Sequence, residues 1–227
     1  MDSLYEWSSR TIRRIYDARL DTPPVLDIDA CFPGGRRFES AWTRLRGEAL
    51  AVLRDAPSIP RFHEIMPSQE EISAQDGKDW RMFLLKVYGQ ELRANLALCP
   101  LLQELLRATP EALSATLSFL APHKHIPRHQ GPFRGILRYQ LNLDVRPDED
   151  GRPGTVLWLA GKEYRLANGA SMLWDDTYPH EVWNHSDHMR IALLLDVRRP
   201  AMPLDLRLLS NTITAGVGVV ARWRGLG

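Results

Sequence analysis

From about Leu113 onward the chain changes its period. Short runs rich in β-forming residues follow one another at 115–120, 135–145, 155–159, 163–166, 170–174 and 190–197, with Gly151, Gly161 and Asn168-Gly169 between them. Turn residues at this spacing cut a chain into short antiparallel strands, which close most readily as a jelly-roll type barrel. One run constrains the barrel further. Across 136–145, Leu137, Tyr139, Leu141, Leu143 and Val145 point one way and Arg138, Gln140 and Asn142 the other. A polar face in mid-strand suits a barrel interior that holds a polar ligand. An outer strand with that face in water is the alternative.

Before Leu113 the pattern is mainly helical. Residues 4–20 offer Leu4, Trp7, Ile12, Ile15 and Tyr16 as an apolar side, and Asp21-Thr22-Pro23-Pro24 ends them. After Pro33-Gly34-Gly35, a helical period links Phe38, Ala41, Trp42, Leu45, Ala49, Val52 and Leu53. A third helical stretch is expected from Gln90, and Pro100 suits the first turn of a helix over 101–107. The expected fold is α+β and mainly β: a double-stranded β-helix (jelly-roll, cupin-like) barrel over 113–200. Helices from 1–112 pack on it and 201–227 forms a tail, all within one domain.

Composition removes several function classes. A net charge of +1 gives no basic face for nucleic acid. Cys31 and Cys99 lack a CxxC spacing, so two reduced thiols are expected rather than a disulfide framework. Asp2, Glu6, Arg10, Arg13 and Arg14 stand where the apolar part of a signal peptide would lie. The longest weakly polar stretch, 213–221, is about half of the ~20 residues a membrane span needs. A cytoplasmic protein is expected. In the tail, Val217, Val219 and Val220 precede Arg222, Trp223 and Arg224. Such a segment usually docks on its own domain, and peripheral contact with a membrane surface is the other reading.

Chemistry concentrates in two phrases: His129-Gln130-Gly131-Pro132 and Trp174-Asp175-Asp176-Thr177-Tyr178-Pro179-His180-Glu181-Val182-Trp183. About ten residues after each histidine an arginine interrupts an apolar run, Arg138 after the first and Arg190 after the second. Two imidazoles can hold one first-row metal ion, and two guanidinium forks can hold carboxylates beside it. His123, His125, His185 and His188 lie among polar loop residues and are expected at the surface. The bland reading of the arginines is structural ion pairing with Asp144, Asp196 or a glutamate. For Asp175 and Asp176 it is an acidic, solvated turn.

These phrases, together with Asp79-Trp80-Arg81-Met82-Phe83-Leu84-Leu85, Ser118-Phe119-Leu120-Ala121-Pro122, Leu137-Arg138-Tyr139 and Asp196-Val197, resemble the aspartyl/asparaginyl β-hydroxylase family of iron(II)- and 2-oxoglutarate-dependent dioxygenases. The resemblance runs from about Trp80 to Pro200, with Phe38-Glu39-Ser40-Ala41-Trp42 as a weaker extension. It implies His129 and His180 as iron ligands. The place of a facial-triad carboxylate is Gly131, which cannot coordinate, and Asp176 matches a family carboxylate that can hold a water there. It also implies Arg190, assisted by Ser118, for the distal carboxylate of 2-oxoglutarate. Arg138 would face the proximal carboxylate or the substrate's acid. Gln140 stands where relatives carry histidine, which leaves the proximal contacts open.

The implied reaction consumes dioxygen and 2-oxoglutarate and hydroxylates an unactivated carbon. The first expectation for that carbon is the β-position of an aspartyl or asparaginyl unit, either free, in a peptide or on a carrier. The alternative is an acyl chain, since Phe133-Arg134-Gly135-Ile136-Leu137-Arg138-Tyr139 and Leu98-Cys99-Pro100 look like the lipid A acyl hydroxylase branch. Halogenation and a catalytically inactive barrel used as a binding module are the remaining readings.

Overall fold

The alternation in 136–145 becomes the middle of a seven-stranded antiparallel sheet. The structure is a computed structural model that describes residues 11–56 and 58–223. Its strands are β1 (Val25–Leu26), β2 (Trp80–Val87), β3 (Gln90–Glu91), β4 (Ala112–Leu120), β5 (His125–His129), β6 (Ile136–Asp144), β7 (Thr155–Leu159), β8 (Lys162–Tyr164), β9 (Ser171–Trp174), β10 (His180–Asn184) and β11 (Arg190–Arg198). The large sheet runs β1-β9-β6-β11-β4-β2-β3 and a four-stranded sheet runs β5-β10-β7-β8. The sheets stack. Leu157 and Leu159 of the small one pack on Met172 and Trp174 of the large one, and Ile126 packs on Trp80 and Leu120. The result is the double-stranded β-helix, in an α+β chain.

Strand parity divides the large sheet into a greasy outer face and a polar inner one. Leu137, Tyr139, Leu141 and Leu143 of β6 join Ala115, Leu117 and Phe119 of β4 and Ile191, Leu193, Leu195 and Val197 of β11 in the main core. Helices cover that face: α1 (Gly35–Ser40), α2 (Trp42–Asp55) and α3 (Pro100–Arg107) bring Phe38, Leu45, Ala49, Val52, Leu102 and Leu106. Leu53, placed on the apolar side by the helical period, is 37% exposed. Gly35 is required where it stands, because a Cβ there would lie 2.8 Å from the Tyr139 ring, whose hydroxyl donates to the Gly35 carbonyl at 2.9 Å. The inner face is left to Ser114, Thr116 and Ser118, to Arg138, Gln140 and Asn142, and to Arg190 and Asp196.

Two expectations change. The stretch before Leu113 is not only helical: β2 pairs with β4 along most of its length, and Gln90 begins a two-residue strand before a helical turn at Arg93–Leu96. A short apolar run such as Phe83-Leu84-Leu85 reads alike as buried strand or buried helix, and pairing partners decide. The tail is a 20-residue helix, α4 (Leu204–Trp223). Of the expected helix over 4–20, residues 11–17 are helical, while Leu4 and Trp7 lie outside the described residues, as does Arg224. Tyr16 is fully buried, edge-on to Phe133, and donates to the Leu206 carbonyl at 3.0 Å. Cys31 is half-buried, Cys99 is buried, and both are free. Among the described residues no helix is long and apolar enough to cross a membrane.

Candidate active site

β5 and β10 are neighbours in the small sheet, and their register sets His129 directly opposite His180. The ring centroids are 4.1 Å apart at an interplanar angle of 57°. A register irregularity between His180 and Val182 frees the end of the pair from the regular pleat. Each Nδ1 lies against a carbonyl two residues back, His129 on Pro127 at 2.8 Å and His180 on Tyr178 at 2.9 Å. Nδ1 is then the N–H donor and Nε2 the bare lone pair on both rings. Burial holds both imidazoles below their ordinary range, His180 down to about 3, with Arg138 adding to the effect. Both rings are therefore neutral at pH 7, the state a metal ion requires. The edge of Trp174 closes against His180 at 4.8 Å between centroids.

Beside this pair the Asp176 carboxylate occupies the space a side chain at 131 would need. A Cβ built on Gly131 would lie 2.2 Å from Asp176 Oδ1, and the Gly131 N–H donates to the Asp176 carbonyl at 2.6 Å. A carboxylate from the next loop thus stands in the place of one from position 131. Burial raises the Asp176 carboxyl to about 6, against the pull of Arg138. Arg138 donates to Asp176 at 3.1 Å and, through Nε, to Asp196 at 2.7 Å. Asp196 in turn accepts from Ser114 at 2.6 Å and from Tyr88 at 3.2 Å. Arg138 is therefore an ion-paired link between two carboxylates, and it stiffens the rim on which Asp176 sits.

The other arginine is differently placed. Arg190 begins β11, is 4% exposed, and has no carboxylate partner among the described residues. Its contacts are long: Nη1 to Ser118 at 3.5 Å and Nη2 to Asn142 at 3.4 Å, while Nε has none. Desolvation alone draws its pKa down to about 10. The Ser118 hydroxyl already accepts from the Trp80 indole at 3.1 Å, so its own proton is free to donate. Gln140 donates to Asn142 at 3.1 Å and so orients the amide beside Arg190. A buried guanidinium with loose neutral partners and a hydroxyl alongside is a receptor for a carboxylate.

Two sites therefore line one barrel interior: the histidine pair with Asp176, and the Arg190 pocket. Among the described residues no group of three or more His, Cys, Asp or Glu side chains could hold a metal ion, so the chain's own contribution is the two imidazoles. Their free Nε2 atoms fit a first-row divalent ion, and the orphaned Arg190 Nε fits a diacid cosubstrate.

Elsewhere the outcome is mixed. Asp175 is fully buried, accepts from Thr177 and is ion-paired with Arg199 and Arg134, so it pins the loop and does not solvate it. His123, His185 and His188 are exposed, whereas His125 is half-buried, stacked on Trp183 and bonded to Glu181. Trp80, Asn142 and Tyr88 were not singled out as site residues. Asn142 had the signal, since it shares a strand face with Arg138 and Gln140.

The stacked antiparallel sheets, with paired histidines on one and a buried arginine on the other, define a double-stranded β-helix protein with a site between its sheets. Residues 39–200 match the family described as aspartyl/asparaginyl beta-hydroxylase, and the chain belongs to that family. It is 31% identical over 183 residues to an ornithine lipid ester-linked acyl 2-hydroxylase of Rhizobium tropici, covering 81% of this chain and 63% of that one. It is 27% identical over 172 residues to the human aspartyl/asparaginyl beta-hydroxylase, covering 74% of this chain and 21% of that one. The chain thus spans less than two thirds of the length of these relatives. A Pseudomonas putida prolyl-4-hydroxylase is similar over 72% of this chain and 88% of its own, at 19% identity and a TM-score of 0.43.

Proposed function

We propose that this hydroxylase is an iron(II)- and 2-oxoglutarate-dependent dioxygenase, and that the carbon it hydroxylates belongs to the acyl chain of a lipid. One observation carries the cosubstrate assignment: on the large sheet a buried guanidinium has no counter-charge among the described residues, and the small sheet stacked on it carries two neutral imidazoles. His129 and His180 would hold the metal through Nε2. Arg190 would grip the distal carboxylate of 2-oxoglutarate with Ser118 Oγ donating alongside, which orients the diacid along the barrel axis. When bound, the iron with 2-oxoglutarate and dioxygen supplies the oxidising power: one oxygen atom goes to the substrate carbon, the other to succinate, and carbon dioxide leaves. Asp176, clamped by Arg138, would hold a water near the histidine pair. Trp174, which meets His180, and its neighbours Met172 and Val182 would exclude bulk water from the site.

Two observations favour an acyl chain over the β-carbon of an aspartyl unit. The relative with the greater identity over more of this chain acts on the acyl group of a lipid. Arg138, the cation that an acidic substrate would meet beside the histidines, is neutralised by two carboxylates. The aspartyl reading keeps the support of the family's description and of the human relative. The proposed compartment is the cytoplasm.

Purified protein with iron(II), 2-oxoglutarate and detergent-dispersed ornithine lipid should release succinate and add one oxygen atom to the lipid by mass spectrometry. Aspartyl and asparaginyl peptides should stay near background. The reverse preference would return the substrate to the amino-acid class.

A further inference from the structure

The C-terminal helix α4 packs one side on its own domain and still exposes an apolar stripe on the other. Its buried positions are Leu206, Ser210, Thr214, Gly218 and Ala221, mostly small. They allow close approach: a Cβ on Gly218 would lie 2.5 Å from the Tyr88 carbonyl oxygen. Leu206, Leu209 and Ile213 pack on the domain, and a second set of large apolar residues faces outward. Leu204 is 61% exposed, Trp223 is 88% exposed, and Leu208, Val219 and Val220 are each more than half exposed. Leu204, Leu208, Thr212, Ala215, Val219 and Trp223 recur at intervals of four, four, three, four and four, which places them in one stripe along the helix.

We infer that this stripe is a membrane-docking surface, which lays α4 in the interface of a bilayer containing anionic lipid. Three features choose lipid over protein. The helix has one acidic residue, Asp205, and Arg19 neutralises it in a two-point ion pair. Exposed Arg207 and Arg222 are left to meet lipid phosphates. An outward Trp beside Arg at the end of an apolar stripe is the composition of an interfacial helix. Six side chains on one helix also fall short of the roughly 20–30 residues a side that a stable dimer uses.

The helix is anchored on the chain segment between the two site residues His129 and Arg138. Leu206 packs with Phe133 and Ile136, and Ser210 donates to the Gly135 carbonyl at 3.1 Å. Phe133 stands four residues after His129 and Ile136 two before Arg138. The face of α4 opposite the stripe thus packs on the segment that joins His129 to Arg138. The choice of a lipid surface rests in part on the acyl reading above.

The test is co-sedimentation of the full chain with vesicles of phosphatidylcholine containing phosphatidylglycerol, for wild type and for Leu208→Glu/Val219→Glu. Both substituted positions are exposed and outside the site, so melting should be unchanged. Wild type should bind, more weakly at high salt. The double variant should lose about a hundredfold in affinity, because two buried apolar side chains are replaced by charges. No vesicle binding by wild type, equal binding by the variant, or a wild-type dimer that the variant dissolves would each overturn the inference. Succinate release on detergent-dispersed lipid separates the two readings. Turnover without vesicle binding sinks the surface alone, and vesicle binding without turnover on any lipid sinks the substrate assignment alone.

Discussion

Arg190→Met is expected to make the protein more stable and to suppress its reaction. At neutral pH the wild type buries a positive charge with no carboxylate against it among the described residues, and that desolvation is uncompensated. Replacing buried charges by an apolar side chain of similar volume typically stabilises by about 1–4 kcal/mol. The urea midpoint should therefore rise. Succinate release should fall by about thirtyfold to several thousandfold, since losing one partner of a buried charged pair costs about 2–5 kcal/mol. A second readout follows from mass action: 2-oxoglutarate at about a hundred times its Kd should stabilise wild type by about 2.7 kcal/mol and leave the variant unmoved. Were Arg190 part of a structural ion pair, its loss would destabilise by about 3–5 kcal/mol. The sign of the stability change decides.

Gly131→Ala should disable the enzyme through a residue it does not itself replace. The added methyl would lie 2.2 Å from Oδ1 and 2.5 Å from Cγ of Asp176. The backbone cannot give way easily, because the Gly131 N–H is bonded to the Asp176 carbonyl. The carboxylate must swing away from the histidines and strain its pair with Arg138. Turnover should drop by about a hundredfold, the scale of an ångström misplacement at a reacting centre. Gly131→Ala/Asp176→Ala should be no worse than Asp176→Ala alone, because both changes act on one carboxylate. Gly131→Asp/Asp176→Gly should recover part of the loss by returning a carboxylate from the other strand. Wild-type turnover in Gly131→Ala would mean that the Asp176 carboxylate has no part in the reaction.

What could be read from the sequence follows strand parity. The alternation in 136–145 placed Leu137, Tyr139, Leu141 and Leu143 in the core and Gln140 and Asn142 in the interior, where they are. The two strands that carry the histidines left no such mark. His125–His129 contains a proline and an arginine, and His180–Asn184 alternates weakly, so only tertiary pairing reveals them as strands. Arg138 and Arg190 look alike in sequence, each an arginine in an apolar run. Their partners, set by residues up to 72 positions away, make one an ion-paired link and the other a receptor. The tail hid its helix for a related reason: Gly216 and Gly218 lower helix propensity, and apolar residues stand on both its packed and its exposed side.

The central claim is that His129 and His180 bind one iron(II) ion beside bound 2-oxoglutarate. Anaerobic titration of iron(II) into the protein with 2-oxoglutarate tests it most directly. The expected result is a weak visible charge-transfer band that saturates at one iron per chain and is absent in His180→Ala. A wild-type protein that develops no band, or a His180→Ala variant with an unchanged one, would contradict it.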